Sequence, residues 1–371
     1  MSQTERKIAF IGATTLLLSS VEYLIPKPLP FLRLGLANLP LLIILESMGW
    51  KAYLFILLLK AIGQGMVSGT LFSYLFLISL AGTLSSGIAM KAVKLLLKSK
   101  VSLVGISLVG AFVSNLAQLA VAALVAYGPS IWVAAPLMLT LGLLSSFALG
   151  LLAEIYVQKS SFAHSLDDES INFALPVVEQ GAYLPRVAIA SLLCIAAILF
   201  TQTLFYLALL TLCMYLLQLT ARRKIRLLPP LMLLVSLAIL SLFEPNGKVL
   251  LSLGSVAFTE GSLTLAFTKA LRLMSLLAAS QCLTASNPRL KGKAGSILLL
   301  DLAYFGQLSS SFRTTKGSLV KRIDQALQSA ASGNGTEQAV QKQQKRAIKE
   351  PLFLLLSGCV LFTALLSNIL K

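Results

Sequence analysis

Polar side chains interrupt long apolar runs at a few positions in the first third of the chain. Lys60 and Gln64 are one helical turn apart, and Asn115 and Gln118 share a helix face in a similar way. Ionisable and amide groups are costly inside a membrane, so each is a candidate for binding a polar or anionic solute. The ammonium group of Lys60 needs a partner, for which Glu46 or an anionic ligand is the nearest option. The alternative for the amides is a structural role, because such groups also hydrogen-bond between neighbouring helices.

A proline-rich stretch at residues 26–40 adds a guanidinium and a carboxamide, Arg33 and Asn38. Its prolines hold the backbone extended, and Gly35 permits close backbone approach. We therefore predict a structured loop that folds back toward the membrane. Arg33 either faces an outward-opening pocket or extends to the lipid headgroups. The predicted solute site comprises Arg33, Asn38, Lys60, Gln64, Asn115 and Gln118.

The composition indicates a polytopic membrane protein. Hydrophobic residues make up 57% of the 371 residues and charged residues only 12%, whereas soluble domains are about 25% charged. The mean hydropathy is +0.85. Several windows exceed the ~20 apolar residues needed to cross a bilayer, and their unbroken apolarity is typical of helices rather than barrel strands.

The net charge of +17 reflects membrane topology rather than a nucleic-acid partner. Basic residues cluster in short segments between apolar runs, as the positive-inside rule expects, without a basic and aromatic surface. We therefore expect a multi-pass protein of the cell membrane with its N-terminus inside. The loop at residues 91–100 is then inside, and the loop with Arg33 is outside.

The first 158 residues are predicted to form a six-helix membrane unit. The second of its spans is short and contains Pro40, which predicts a kink or a half-helix. The six apolar segments are Ile8–Ile25, Gly35–Met48, Ala52–Val67, Leu71–Met90, Val101–Tyr127 and Ile131–Val157.

A second membrane unit is predicted over residues 186–371, after an acidic cytoplasmic linker at residues 159–185. The apolar stretch Arg186–Thr220 has the length of a helical hairpin with a turn near Thr201–Thr203. Further spans are expected at Leu227–Phe243, Leu263–Thr284 and Leu352–Leu370. The predicted fold is thus all-α, with about ten to eleven transmembrane helices in two units.

Residues 289–349 are mostly polar and basic, which predicts a cytoplasmic segment. An amphipathic helix near Gly317–Ala330 presents apolar residues at helical spacing. This helix either lies on anionic lipid or docks on a soluble partner. The chain has no GxxxxGK[ST] loop, so ATP use requires another chain. If cytoplasmic ATPases bind, the coupling residues are predicted to be Arg313, Lys316, Leu319, Ile323 and Leu327.

Signatures of catalysis are sparse. The four cysteines lie singly without CxxC spacing, and His164 is the only histidine, so no metal site is predicted. The acidic cluster at residues 167–169 lacks the second cluster that a two-site Mg²⁺ clamp for diphosphate chemistry needs. We predict no catalytic residues and no cofactor.

Several motifs of the first unit resemble the Gx transporter family, which is also labelled heptaprenyl diphosphate synthase component I. They are the segments at residues 30–38, 68–71, 79–82 and 109–118, in this order. The family is related to the substrate-binding S components of energy-coupling-factor transporters. Ser114 stands where the family is expected to have a histidine.

Residues 183–327 resemble the transmembrane T component of the same transporter class, although the Ala-Arg-Gly coupling motifs of that component are missing. The two resemblances imply a membrane subunit of an importer that binds a small solute and works with cytoplasmic ATPases. The alternative, implied by the family label, is a membrane component associated with heptaprenyl diphosphate synthesis.

Overall fold

A computed structural model describes residues 2–23, 35–159, 174–176, 183–221, 228–243, 246–253, 256–315, 322, 325–328, 348 and 350–369. Within these ranges the chain is almost entirely helical. Arg33 and the acidic cluster at residues 167–169 lie outside the described residues.

The N-terminal part contains six α-helices joined by short connections. Three 3-10 turns and one π turn interrupt or extend them. The 3-10 turns are Leu36–Asn38, Lys98–Lys100 and Pro129–Ala134, and the π turn is Ala123–Tyr127. The α-helices are α1 (Gln3–Tyr23), α2 (Leu39–Ile43), α3 (Trp50–Ser68), α4 (Tyr74–Leu97), α5 (Leu103–Ala122) and α6 (Ala135–Lys159).

The C-terminal part contains six more described α-helices and one hairpin. The helices are α7 (Pro185–Phe200), α8 (Leu204–Thr220), α9 (Leu228–Ser241), α10 (Glu260–Ala285), α11 (Gly292–Thr314) and α12 (Glu350–Ile369). The break between α7 and α8 falls at residues 201–203, where a turn was predicted, and both helices pack on α10 and α12. An antiparallel pair of strands, β1 (Val249–Leu253) and β2 (Val256–Thr259), precedes α10 and was not predicted from the sequence.

Six helices of the described part are long and apolar enough to cross a membrane. They are α3, α4, α5 with its π turn, α6 with its leading 3-10 turn, α10 and α12, while α7, α8 and α9 are shorter apolar helices. Large apolar side chains such as Leu96, Leu124 and Phe205 are exposed, as expected of surfaces that face lipid. These features confirm an all-α, multi-pass membrane protein.

The predicted span Gly35–Met48 is a half-helix rather than a full crossing. A 3-10 turn leads into the five residues of α2, and Pro40 occupies the first turn of that helix, where its missing N–H is tolerated. The turn after α2 is held by Lys91 of α4, whose ammonium donates to the carbonyls of Leu45 and Met48. Buried backbone carbonyls therefore find a partner where the helix stops.

The buried apolar residues form two clusters. One joins the ends of α4 and α5 to α7–α10 and α12, and the other joins α1, α2 and α3 to α11. The rings of Phe10 and Tyr304 meet edge to face at 5.4 Å, and Asp301 lies against Gly12. The contact moves from Tyr304 back to Asp301 on α11 as it moves from Phe10 forward to Gly12 on α1. The two helices therefore run antiparallel. Residues 292–314, predicted as part of a basic cytoplasmic segment, thus pack along the first helix of the chain.

Glycines allow this close approach of α11. A Cβ atom at Gly12 would collide with Oδ1 of Asp301, and one at Gly63 would lie 3.0 Å from Oδ2 of the same carboxyl group. Gly306, on α11 itself, has no neighbouring atom within 4 Å of such a Cβ.

We predict opposite effects for alanine at two of these glycines. Gly306→Ala should raise the free energy of unfolding by ~0.5–1 kcal/mol, because alanine favours the helix. Gly12→Ala gains the same propensity but overpacks the contact with α11, and should cost a net ~1–3 kcal/mol. Thermal unfolding of the full chain measures both. Equal stability of the two variants would show that the α1–α11 contact is not tightly packed.

Candidate functional site

A polar cavity opens among α1, α3, α4, α5 and α6 beside the 3-10 turn at residues 36–38. Its wall includes Glu22, Asn38, Lys60 and Asn115. The cavity is narrow in this structure, with room for only about two water molecules, so a solute would have to widen it.

Lys60 provides the positive charge of this cavity. The side chain is only 2% exposed, and its ammonium donates a hydrogen bond of 2.5 Å to Oδ1 of Asn38. Asn38 reaches this position because Gly35 adopts a left-handed backbone, with φ of 91°, and the chain then tightens into the 3-10 turn. A buried charge needs such polar partners, because its desolvation is otherwise uncompensated. The suggested partner Glu46 forms an ion pair with Lys94 instead.

Glu22 brings a carboxyl group to the same cavity and was not predicted as a site residue. It lies near the C-terminal end of α1 and is 4% exposed. Its signal in the sequence is an acidic residue that directly follows an apolar run. The cavity wall therefore carries groups of opposite charge.

Asn115 and Gln118 have roles in helix packing as well as in the site. Asn115 lines the cavity while its amide group donates to the carbonyl of Met138 on α6 at 3.0 Å. Gln118 does not line the cavity, but its amide donates to Oγ of Ser114, which does, at 2.8 Å. The amide of Asn115 contacts Gly142, and the amide of Gln118 contacts Gly82. A Cβ atom at either glycine would collide with the amide.

Hydroxyl groups complete the polar part of the wall. Thr83 lies on α4, Ser107 and Ser114 lie on α5, and Ser146 lies on α6. The hydroxyls of Ser107 and Ser146 are 2.7 Å apart and bridge two helices. Among the described residues, a solute in the cavity would thus meet the ammonium of Lys60, the carboxyl of Glu22 and several neutral hydrogen-bonding groups.

The other predicted site residue of the described part lies elsewhere. Gln64 is half-buried on α3, one turn beyond Lys60, and is not part of the cavity wall. Among the described residues, the structure therefore brings Asn38, Lys60 and Asn115 together, with Gln118 behind them.

The predicted coupling residues are described only in part. Arg313 is exposed in the last turn of α11, whereas Leu327 is 3% exposed and packs in the cluster with α1, α3 and α11. Lys316, Leu319 and Ile323 lie outside the described residues. Arg322 donates to the carbonyl of Phe312 at 2.6 Å and stacks on its ring, so this side chain lies against the end of α11.

The described part of the chain holds no group of three or more His, Cys, Asp or Glu residues placed to bind a metal ion. The helices and the cavity together define a multi-pass membrane protein with a narrow, polar internal cavity.

Comparison with known families supports the resemblance seen in the N-terminal part. Residues 11–156 match the family model for heptaprenyl diphosphate synthase component I, which confirms the resemblance of the N-terminal part. Residues 184–284 match a domain of unknown function, DUF8519. Neither the curated proteins nor the solved structures gave a match.

The hydrogen bond between Lys60 and Asn38 can be tested by a double-mutant cycle. Lys60→Met and Asn38→Leu should each destabilise the protein, and the coupling free energy should be ~1.5–3 kcal/mol, because the bond involves a charged donor. Thermal unfolding of the four proteins in detergent measures it. Lys100→Met, at an exposed lysine, is the matched control and should change stability by less than about 0.5 kcal/mol. Additive effects would show that the two side chains do not interact.

Proposed function

We propose that this protein is the membrane subunit of an energy-coupling-factor-type importer. The N-terminal helices bind a small polar solute in the cavity around Lys60, and the C-terminal part couples that unit to cytoplasmic ATPases. The protein would reside in the cell membrane with its N-terminus inside. The observation that carries the proposal is the polar cavity inside an apolar bundle.

The chemistry of the cavity supports solute binding rather than a purely structural polar core. Helix packing in membranes needs few polar groups, and intramembrane charges are retained mainly where they have a function. Here Lys60, Glu22 and Asn115 line one cavity. The match of residues 11–156 to a membrane-component family is consistent with this assignment.

The packing of α11 supports a coupling role for the C-terminal part. Basic residues stand at both ends of this helix, at Arg289, Lys291 and Lys293 before it or in its first turn, and at Arg313 in its last turn. A helix of 23 residues would span about 35 Å if it stood upright, and one basic end would then face outside. The positive-inside rule instead favours a helix that lies along the cytoplasmic surface.

This orientation has a consequence for the solute-binding unit. Because α1 packs antiparallel along α11, a surface-lying α11 would hold α1 tilted toward the membrane plane. Movement of α11 would then tilt the whole N-terminal bundle. In this way, movement of an ATPase on the cytoplasmic side would change the position of the helices that form the cavity.

The family description supports a second candidate, a membrane component associated with heptaprenyl diphosphate synthesis. Radiolabelled prenyl transfer by the purified protein, alone and with cytosolic extract, distinguishes this role from transport.

Solute binding is tested by mass spectrometry of small molecules retained by the gently purified full chain. We expect a polar solute with the wild type and with Lys100→Met. Lys60→Met should lower the affinity for the identified solute about 10- to 150-fold, as expected for loss of a hydrogen bond to a charged group. If all three proteins remain folded and retain the same amount of solute, Lys60 has a structural role and does not bind the solute.

Coupling is tested by charge reversal at opposite ends of α11. The tagged full chain is purified from its native membrane, and ATP hydrolysis that copurifies and responds to solute is measured. Arg313→Glu should abolish that hydrolysis, because Arg313 is exposed beside the predicted coupling segment. Lys293→Glu, at the exposed start of the helix about 30 Å away, is the matched control and should retain it. If no ATP hydrolysis copurifies with the wild type, the protein does not work with an ATPase and the coupling proposal is wrong.

A further inference from the structure

Asp301, in the middle of α11, is a fully buried carboxyl group with no hydrogen-bond partner for either oxygen among the described residues. It lies in a slot between two other helices. Gly12 of α1 faces Oδ1, and Gly63 of α3 faces Oδ2. The two glycines leave room for the carboxyl group, and they offer no side chain that could donate to it.

An ionised carboxylate in this slot would be strongly unfavourable. Burying a charge without a partner costs far more than burying a neutral polar group, so such groups are found protonated. Burial accordingly raises the pKa of Asp301 well above its ordinary range. The carboxyl group is therefore neutral while α11 is docked.

The charged groups on the three helices do not compensate Asp301. On α1, Glu5, Arg6 and Lys7 lie in the N-terminal turns and Glu22 lies near the other end. On α3, Lys51 is exposed in the first turn and the ammonium of Lys60 donates to Asn38. On α11, Lys293 and Arg313 are exposed near the two ends. Burial raises the pKa of Tyr304 to about 12, so that this group does not titrate near neutral pH.

We propose that Asp301 is a proton-binding site at the junction of α1, α3 and α11, where docking of α11 takes up one proton and its separation releases that proton. The slot joins elements from opposite ends of the chain, so the site senses whether the C-terminal helix is docked on the N-terminal bundle. This inference does not depend on the identity of the solute or on ATPase binding.

The direction of the pH dependence follows from linkage. The carboxyl group binds its proton more tightly in the docked form than in the separated form. As the pH rises above the ordinary value of an aspartate, the separated form gains from ionisation and docking weakens. The docking equilibrium should fall by up to about tenfold per pH unit until the docked carboxyl group itself ionises.

The test uses hydrogen–deuterium exchange of the full chain in lipid nanodiscs, between about pH 6 and about pH 8. Exchange of α11 peptides in the wild type is divided by exchange of the same peptides in Asp301→Asn at the same pH, which cancels the intrinsic pH dependence. The ratio should increase with pH by up to about tenfold per unit. Peptides of α7, which does not pack on α11, should give a constant ratio.

Glu260→Gln, an exposed carboxyl-to-amide change at the start of α10, is the matched control and should show the wild-type profile. If Asp301→Asn does not fold, the wild-type α11 rates divided by its α7 rates provide the same readout, after correction for intrinsic rates. A ratio for α11 that does not change with pH would overturn the proposal. Protection that depends on sodium rather than potassium at fixed pH would also overturn it, because the site would then bind a metal cation.

Discussion

Polar groups in a bilayer must find their partners within the protein, and this constraint shapes the N-terminal bundle. The half-helix α2 ends where the ammonium of Lys91 can donate hydrogen bonds to the carbonyl groups of the following turn. The turn before α2 places Asn38 against the ammonium of Lys60. Each break in helical structure is matched by a side chain from another helix. The same breaks make room for the cavity, because a continuous second span would have filled that space with apolar side chains.

Close packing by small residues is the second determinant of the architecture. Gly82 and Gly142 admit the amide groups of α5, and Gly12 and Gly63 admit the carboxyl group of α11. Without a hydrophobic driving force between helices in lipid, such contacts supply much of the association energy. The junction of α1, α3 and α11 therefore combines tight packing with a buried titratable group.

The two buried clusters show which C-terminal helices pack on which N-terminal helices. One cluster gathers the C-terminal helices around the start of α4 and the end of α5, and the other attaches α11 to the first three helices. The C-terminal part thus packs on the N-terminal helices through two separate buried clusters. A force applied to α11 would act on α1 and α3, the helices that carry Glu22 and Lys60 of the cavity.

The sequence alone determined the class of protein, because runs of about 20 apolar residues have few stable solutions other than membrane helices. It also predicted the break at residues 201–203, the irregular second span around Pro40, and the polar residues Asn38, Lys60 and Asn115 that face one cavity. Helical periodicity and the cost of polar groups in lipid are local properties, so they can be read from one segment at a time. The role of Glu22, the pairing of Glu46 with Lys94, and the docking of α11 on α1 were decided only by the tertiary structure. These contacts join residues far apart in the chain, and no local pattern specifies which helix faces which.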